Sequence, residues 1–148
     1  MNRNKYQLEV CKAMLSKDPG VVGAWLSGDE FAVSVDGVRA FVFDRKDIIF
    51  DANKIQREFP DSVKVQFSRS EKDMPLLITN KIRREPKLGA YLIQLESADG
   101  SFATWARNTY IQDVDQFRLY ASGPIDRILV VDAMGRTVGL VLTVRGVE

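Results

Sequence analysis

Carboxylates are the main candidates for catalysis or metal binding in this chain, because histidine is absent and cysteine occurs once. Two close pairs are Asp44 with Asp47 and Asp113 with Asp115. Such pairs can bind a divalent cation or act as acid and base. Surface turns carry the same pairs routinely, and no phosphate-binding glycine motif accompanies them. A hydrolase that uses carboxylates alone is an alternative without a motif behind it, and we predict no catalytic residue, metal or cofactor.

The single thiol, Cys11, falls on the apolar side of a predicted helix. A nucleophilic cysteine needs an activating base, and the chain has no histidine to provide one. One cysteine also excludes an intramolecular disulfide and a cysteine-rich metal site. We expect Cys11 to pack as a small, buried apolar side chain.

Lysine and arginine concentrate in two segments of the chain. The first segment contains Lys81, Arg83, Arg84 and Lys87, with Glu85 as its one carboxylate. The second is the first predicted helix with its C-terminal end, and it carries Arg3, Lys5, Lys12 and Lys17. Such side chains bind phosphates with salt-sensitive affinity that does not depend on base sequence. The alternative for residues 81–87, and the one the residues favour, is a solvated loop.

Aromatic side chains offer a second route to nucleic acid, by stacking on bases. Trp25 and Trp105 both lie in strand-like segments, where core packing is the plainer interpretation. A base-stacking surface needs a row of aromatic residues with basic residues between them. Trp105, Arg107 and Tyr110 are the one weak indication of such a row in the sequence.

The composition sets limits on these ideas. The chain has 148 residues, with 21 basic and 20 acidic side chains and a net charge of +1. The length fits one domain, and the charge excludes a strongly electropositive DNA binder while permitting a local basic face. No apolar run approaches the roughly 18 residues of a membrane span, and the N-terminus lacks a signal-peptide pattern. We therefore expect a cytoplasmic protein without a membrane partner.

Hydrophobic periodicity places the elements that must position these residues. A helix is predicted over residues 3–16, with Tyr6, Leu8, Val10, Cys11, Met14 and Leu15 on its apolar side. Strands are predicted over residues 21–27, 31–35, 39–43, 63–67, 74–79, 91–95, 102–106, 117–121, 128–132 and 138–144. Short helices are predicted over residues 52–58 and 110–117. Asp36-Gly37 and Asp99-Gly100 are predicted hairpin turns.

Residues 3–43 and 110–144 share one pattern, a helix followed by three strands. This predicts an α+β fold with two helix-plus-antiparallel-strand halves. The first half covers about residues 1–67 and the second about residues 91–148. A variable, charged link over about residues 68–90 joins them.

The order of these segments resembles a bacterial sliding-clamp domain. Residues 16–43 (SKDPGVVGAWLSGDEFAVSVDGVRAFVF) are similar to a clamp's first helix end, strand pair and Asp-Gly-x-Arg hairpin. Residues 57–65 (REFPDSVKV) are similar to the link between clamp half-domains. Residues 117–146 resemble the closing strands, with matches at Ser122-Gly123-Pro124, Ile128–Asp132 and Leu142–Arg145.

The resemblance implies a single DNA-clamp-like domain without enzymatic activity. In clamps, helices with cationic residues face the DNA. The resemblance therefore implies that the cations of the first helix contact DNA here: Arg3, Lys5, Lys12 and Lys17. The closing strand helps to form an apolar pocket for partner peptides, which assigns that pocket to Leu142, Val144 and Arg145. A clamp chain has three such domains and this chain has room for one, so the resemblance implies a homo-oligomer.

Two functions are consistent with these expectations. The first is a processivity-factor relative in DNA replication or repair, with duplex DNA and a polymerase or other replication proteins as partners. The second is an interaction adaptor on the same fold that does not bind DNA. A steep salt dependence of DNA binding separates the two.

Overall fold

Helices and strands lie close to where the periodicity predicts them. The computed structural model describes residues 3–15, 23–27, 30–51, 55, 57–59 and 61–145, with the backbone alone at residues 3, 23–27, 57 and 61–62. These residues form helices and largely antiparallel sheets, which confirms the predicted α+β class. The chain divides into an N-terminal unit that ends at Ser68 and a C-terminal unit that begins at Arg69.

The N-terminal unit combines one longer helix with short strands. Its elements are α1 (Arg3–Met14), β1 (Gly23–Ser27), β2 (Glu30–Ser34), β3 (Arg39–Asp44), β4 (Arg57–Glu58) and α2 (Asp61–Lys64). β1, β2 and β3 form an antiparallel meander, and β4 pairs with β1 in parallel. Residues 16–22, which include Lys17, lie outside the described residues.

The predicted Asp36-Gly37 turn joins β2 to β3. The Asp36 carboxylate accepts hydrogen bonds from the N–H groups of Val38 and Arg39, at 2.8 and 3.1 Å. Gly37 has a φ of 73°, a left-handed conformation that favours glycine. This turn is therefore specified by its own two residues.

Tyr6 anchors α1 to the sheet. Its buried ring meets Phe41 edge-on, with ring centroids 4.6 Å apart, and its hydroxyl lies 3.3 Å from the Val33 carbonyl oxygen. Burial raises the pKa of the Tyr6 hydroxyl far above its usual range. Arg39 lies over the same ring and forms an ion pair with Glu9 at 3.2 Å.

The buried side of α1 differs from the predicted one. Tyr6 and Val10 are buried, but Leu8 is 54% exposed and Leu15 is 86% exposed. Gln7 is buried in their place, because its amide donates to the Asp47 carbonyl and accepts the Ile49 N–H. Cys11 is half-buried rather than buried.

The C-terminal unit is a larger antiparallel sheet with one short helix. Its elements are β5 (Met74–Glu85), β6 (Ala90–Ser97), β7 (Ala103–Arg107), α3 (Asn108–Asp113), β8 (Arg118–Ala121), β9 (Ile128–Val131) and β10 (Thr137–Val141). The strand order is β10-β9-β8-β5-β6-β7. All four residues of β9 are buried, so this strand lies in the core of the unit, while α3 packs against β6 and β7.

Three predicted elements differ from the structure. Residues 63–67 are not a strand: α2 and a 3-10 turn over Val65–Phe67 replace it, which buries Phe67 against Phe59 and leaves Val65 exposed. Of the predicted helix over residues 52–58, residues 52–54 and 56 lie outside the described residues, and Arg57–Glu58 is β4. The third predicted helix begins at Asn108 and ends at Asp113.

The segment predicted as a charged link, about residues 68–90, contains β5 of the C-terminal unit. β5 extends from Met74 to Glu85 with one irregularity between Ile78 and Ile82, so the predicted loop over residues 81–87 is wrong for residues 81–85. The loop prediction failed because strands are recognised by alternating apolar and polar residues, and this exposed, charged segment shows no such alternation. Cross-strand pairing with β6, which the pattern does not show, keeps the segment extended.

Loss of the Tyr6 ring should destabilise the N-terminal unit strongly. We expect Tyr6→Ala to lower the free energy of unfolding by about 3–5 kcal/mol, because it removes a buried aromatic ring from a packed site. Leu8→Ala on the exposed side of the same helix is the matched control, with an expected change within about 0.5 kcal/mol. Urea unfolding followed by circular dichroism measures both, and equal effects of the two variants would contradict this packing.

Candidate nucleic-acid interface

The cationic segment forms one side and the tip of a β-hairpin. β5 pairs with β6 in the register Ile82 to Ile93, Arg83 to Leu92, Arg84 to Tyr91 and Glu85 to Ala90. Residues 86–89 make the turn, where the Leu88 N–H donates to the Glu85 carbonyl at 3.2 Å. Gly89 has a φ of 59°, which a residue with a side chain rarely adopts. We call residues 81–91 the basic hairpin.

The basic hairpin extends beyond its neighbouring strand. β7 pairs with β6 only from Leu92 to Glu96, so Ala90 and Tyr91 have no β7 partner within the described residues. On the other side, β5 pairs with β8 only at Met74 and Pro75. The end of the hairpin is therefore a two-stranded ribbon.

Four sequence-predicted cations lie on the basic hairpin, with Arg84 and Lys87 on its two-stranded end and Lys81 and Arg83 just before it. Lys81, Arg83, Arg84 and Lys87 are all exposed. Within the described part of the chain, Lys81, Arg84 and Lys87 form no ion pair with a carboxylate. The one acidic residue here, Glu85, accepts a hydrogen bond from the Lys87 backbone N–H at 3.3 Å. The basic hairpin thus carries a local excess of positive charge on a nearly neutral protein.

The register places cations on both faces of the basic hairpin. Residues directly opposite each other share a face. Arg84 therefore lies on the face of exposed Tyr91, and Arg83 lies on the face of buried Leu92. A two-stranded ribbon fits the major groove of duplex DNA, where phosphates line both sides. The arrangement can contact phosphates on two sides at once.

The predicted cations of α1 lie in the other unit. Lys5 and Lys12 are exposed on this helix. Arg3 begins α1, but only its backbone is described, and Lys17 lies outside the described residues. The carboxylate of Glu9, which lies between the two lysines, is engaged by Arg39. Two of the four predicted helix cations are therefore placed at the surface.

The predicted peptide pocket has a different setting from the one expected. β10 ends at Val141 because its partner β9 begins at Ile128, the residue opposite, so Leu142 and Val144 lie beyond the strand. The Val144 N–H donates to the Trp105 carbonyl at 2.8 Å. Leu142 and Val144 are half-buried and Arg145 is exposed. The closing segment thus runs along the edge of β7.

An apolar groove between β5 and β8 was not predicted. It has a volume of about 330 Å³ and is lined in part by Leu77, Ile78 and Phe117. The sequence carries three consecutive apolar residues here, Leu76 to Ile78, but nothing local marks where β5 parts from β8.

The remaining candidate residues do not assemble into a site in the described part of the chain. Among these residues, no group of three or more Cys, Asp or Glu side chains is placed to hold a metal ion. Asp47, Asp113 and Asp115 are exposed, and Asp44 is half-buried at the end of β3. Arg107 lies over the Tyr110 ring at 5.7 Å, beside a half-buried Trp105, and the Trp25 side chain is not described.

Comparison with protein-family models, with curated proteins and with solved structures finds no match. Within the described residues, no helix is both long and apolar enough to cross a membrane.

A buried ion pair fixes the start of the strand that carries the hairpin. Two guanidinium nitrogens of Arg127 donate to the two carboxylate oxygens of Asp73, at 2.8 and 3.1 Å, and both side chains are buried. The Ser70 N–H donates to the same carboxylate at 2.6 Å. Burial by itself raises the pKa of Asp73, but the hydrogen bonds from Arg127 and Ser70 outweigh it and hold that pKa below 3.8.

Removal of either partner should destabilise the C-terminal unit, because the other charge stays buried and loses its bidentate partner; without Asp73, Arg127 keeps the longer ion pair with Asp126, at 3.5 Å. We expect Asp73→Leu and Arg127→Met each to cost about 3–5 kcal/mol, and the double variant to recover most of the loss. The folded-state pKa of Asp73 is lowered, so its contribution is present above its unfolded pKa near 3.8 and disappears as the pH falls through the folded value.

Urea unfolding at neutral pH and at about pH 3 measures both effects. Glu58→Gln, in the exposed pair with Lys64, is the control and should change stability little at neutral pH. A double variant no more stable than the two single variants would contradict the assignment of this pair.

Proposed function

We propose that this protein is a non-enzymatic, cytoplasmic relative of the sliding clamps that acts on duplex DNA in replication or repair. The observation that carries the proposal is the basic hairpin, which has exposed cations on both faces and a two-stranded end beyond β7. Its partners in this role are duplex DNA, further copies of the chain, and a polymerase or another replication protein.

Element order supports the clamp-like part of the proposal. α1 is followed by the meander β1-β2-β3, and α3 is followed by the meander β8-β9-β10. This repeat is the one that the resemblance to a clamp domain implies. The two copies fall in different units of the chain.

The hairpin would bind DNA through its backbone and not through its bases. Lysine and arginine release counterions from phosphates, so the logarithm of affinity falls with the logarithm of salt by about 0.9 for each neutralised phosphate. A few such phosphates give weak affinity and no preference for base sequence. That combination suits a protein that must move along DNA.

A specific observation favours the adaptor as the second function. The β5–β8 groove is apolar and open at the surface, with Leu77 59% exposed. Exposed apolar patches of this kind mark interaction sites. An adaptor would use the groove and would leave DNA unbound.

Neutralisation of the hairpin should weaken DNA binding and flatten its salt dependence. We expect the variant Lys81→Ala, Arg84→Ala, Lys87→Ala to reduce the salt slope by about 0.9 for each phosphate that it no longer neutralises. Fluorescence anisotropy with a labelled duplex, between about 50 and about 200 mM salt, measures the slope. The matched control removes three other exposed cations, Arg45, Lys46 and Lys72. Equal effects of the two triple variants would refute a role of the hairpin.

Assembly should accompany a clamp function, since one copy supplies one clamp-like domain. We expect light scattering to give the mass of several copies, and we expect retention on closed circular DNA to exceed retention on linear DNA with free ends. Slow release that becomes fast when the circle is cut is the expected topological signature. A monomer that releases both DNA forms equally fast would rule out an encircling clamp.

A further inference from the structure

β5 and β8 pair over two positions and then separate. Met74 lies opposite Ala121 and Pro75 opposite Tyr120, and the ladder ends there. The missing N–H of Pro75 would lie on the β6 side, like its carbonyl, so the proline itself does not end the pairing with β8. Its carbonyl accepts the Ala98 N–H at 2.8 Å, on the β6 side. Past Pro75 the two strands enclose the groove of about 330 Å³.

The walls of the groove are apolar and partly exposed. Leu77 is 59% exposed, Ile78 is also exposed, and Phe117 is half-buried opposite them. Tyr120 closes one end, with the Arg69 guanidinium 4.2 Å from its ring centroid. Apolar side chains of a ligand would find water-excluding contacts here.

Both walls also present a strand edge to the groove. Within the described residues, Leu76, Leu77 and Ile78 pair with β6 on one side and with no strand on the other. Arg118 and Leu119 of β8 pair with β9 and not with β5. An open edge of this kind can accept an added strand through main-chain hydrogen bonds.

Cations lie beyond both ends of the groove, with Arg69 at the Tyr120 end, and Asp115 and Arg118 also line it. Beyond an irregularity between Ile78 and Ile82, β5 carries Lys81, Arg83 and Arg84. Three residues span at most roughly 10 Å and the irregularity shortens that distance, so the cations begin within about 10 Å of the apolar groove. A ligand that fills the groove and continues along β5 therefore meets positive charge.

We propose that the β5–β8 groove binds an extended peptide that adds a strand to β5, with alternating apolar residues in the groove and acidic residues beside Lys81 and Arg84. Antiparallel pairing is the more stable arrangement, and it places the acidic residues at the N-terminal end of the peptide. A second copy of this chain is a poorer occupant, because its own β5 edge is cationic and like charges across a strand pair are destabilising. The site goes beyond the proposed DNA-binding function and does not depend on it.

A labelled peptide, Asp-Glu-Ser-Leu-Thr-Leu-Thr-Phe, provides the test by fluorescence anisotropy. We expect saturable binding that is at least tenfold tighter than that of a peptide with Lys-Lys at its first two positions. Leu77→Glu should weaken the binding at least tenfold. Ile49→Glu is the matched control, since Ile49 is equally exposed, at 59%, in the other unit, and it should leave binding unchanged. Amide chemical shifts should move at residues 76–84.

Other outcomes overturn the proposal. Binding that is equal for the acidic and basic peptides, or unchanged by Leu77→Glu, would exclude this site. Absence of binding, together with a dimer that Leu77→Glu dissociates, would assign the edge to a second copy. Duplex DNA binding by Leu77→Glu is measured in parallel. Loss of peptide binding with DNA binding kept supports an apolar groove that serves the peptide and not DNA. Peptide binding by a protein that does not bind DNA overturns only the proposed DNA function.

Discussion

The C-terminal unit depends on the buried pair of Asp73 and Arg127. Two charges out of water are tolerated here because two guanidinium N–H groups meet two carboxylate oxygens in a bidentate geometry. Asp73 directly precedes β5, and Arg127 directly precedes the buried strand β9. The pair therefore sets where β5 begins relative to the core of the sheet. The groove and the basic hairpin are later parts of β5, and their placement follows from this anchor.

β5 passes through three environments after that anchor. It first pairs with β8 on one side and β6 on the other, then opens onto the apolar groove, and finally becomes one strand of a cationic ribbon. The change from core to edge begins after Pro75, the last residue of β5 that pairs with β8. DNA phosphates and an acidic peptide would meet the same lysine and arginine side chains. The two proposed ligands would therefore compete, which is a means of coupling DNA binding to partner binding.

The N-terminal unit uses a neutral anchor instead. Tyr6 packs its ring on Phe41 and Phe43 and directs its hydroxyl to the sheet backbone, while Arg39 covers the ring and reaches Glu9. Gln7 adds two hydrogen bonds to the segment after β3. Polar groups thus tie α1 to the sheet, and the helix can leave Leu8 in solvent. Apolar spacing alone misassigns the buried face of such a helix.

Local patterns in the sequence were enough to predict the α+β class and the Asp-Gly turns. Those features follow from hydrophobic periodicity and from side chains that bond to their own backbone, as at Asp36-Gly37. The sequence also shows the cluster of Lys81, Arg83, Arg84 and Lys87, because these residues are neighbours in the chain. Three features are visible only in the folded protein: the hairpin strand, the pair of Asp73 and Arg127, and the separation of β5 from β8. Each of these features depends on which strands lie side by side. Asp73 and Arg127 are 54 residues apart in the chain, and no local sequence pattern predicts that they pair.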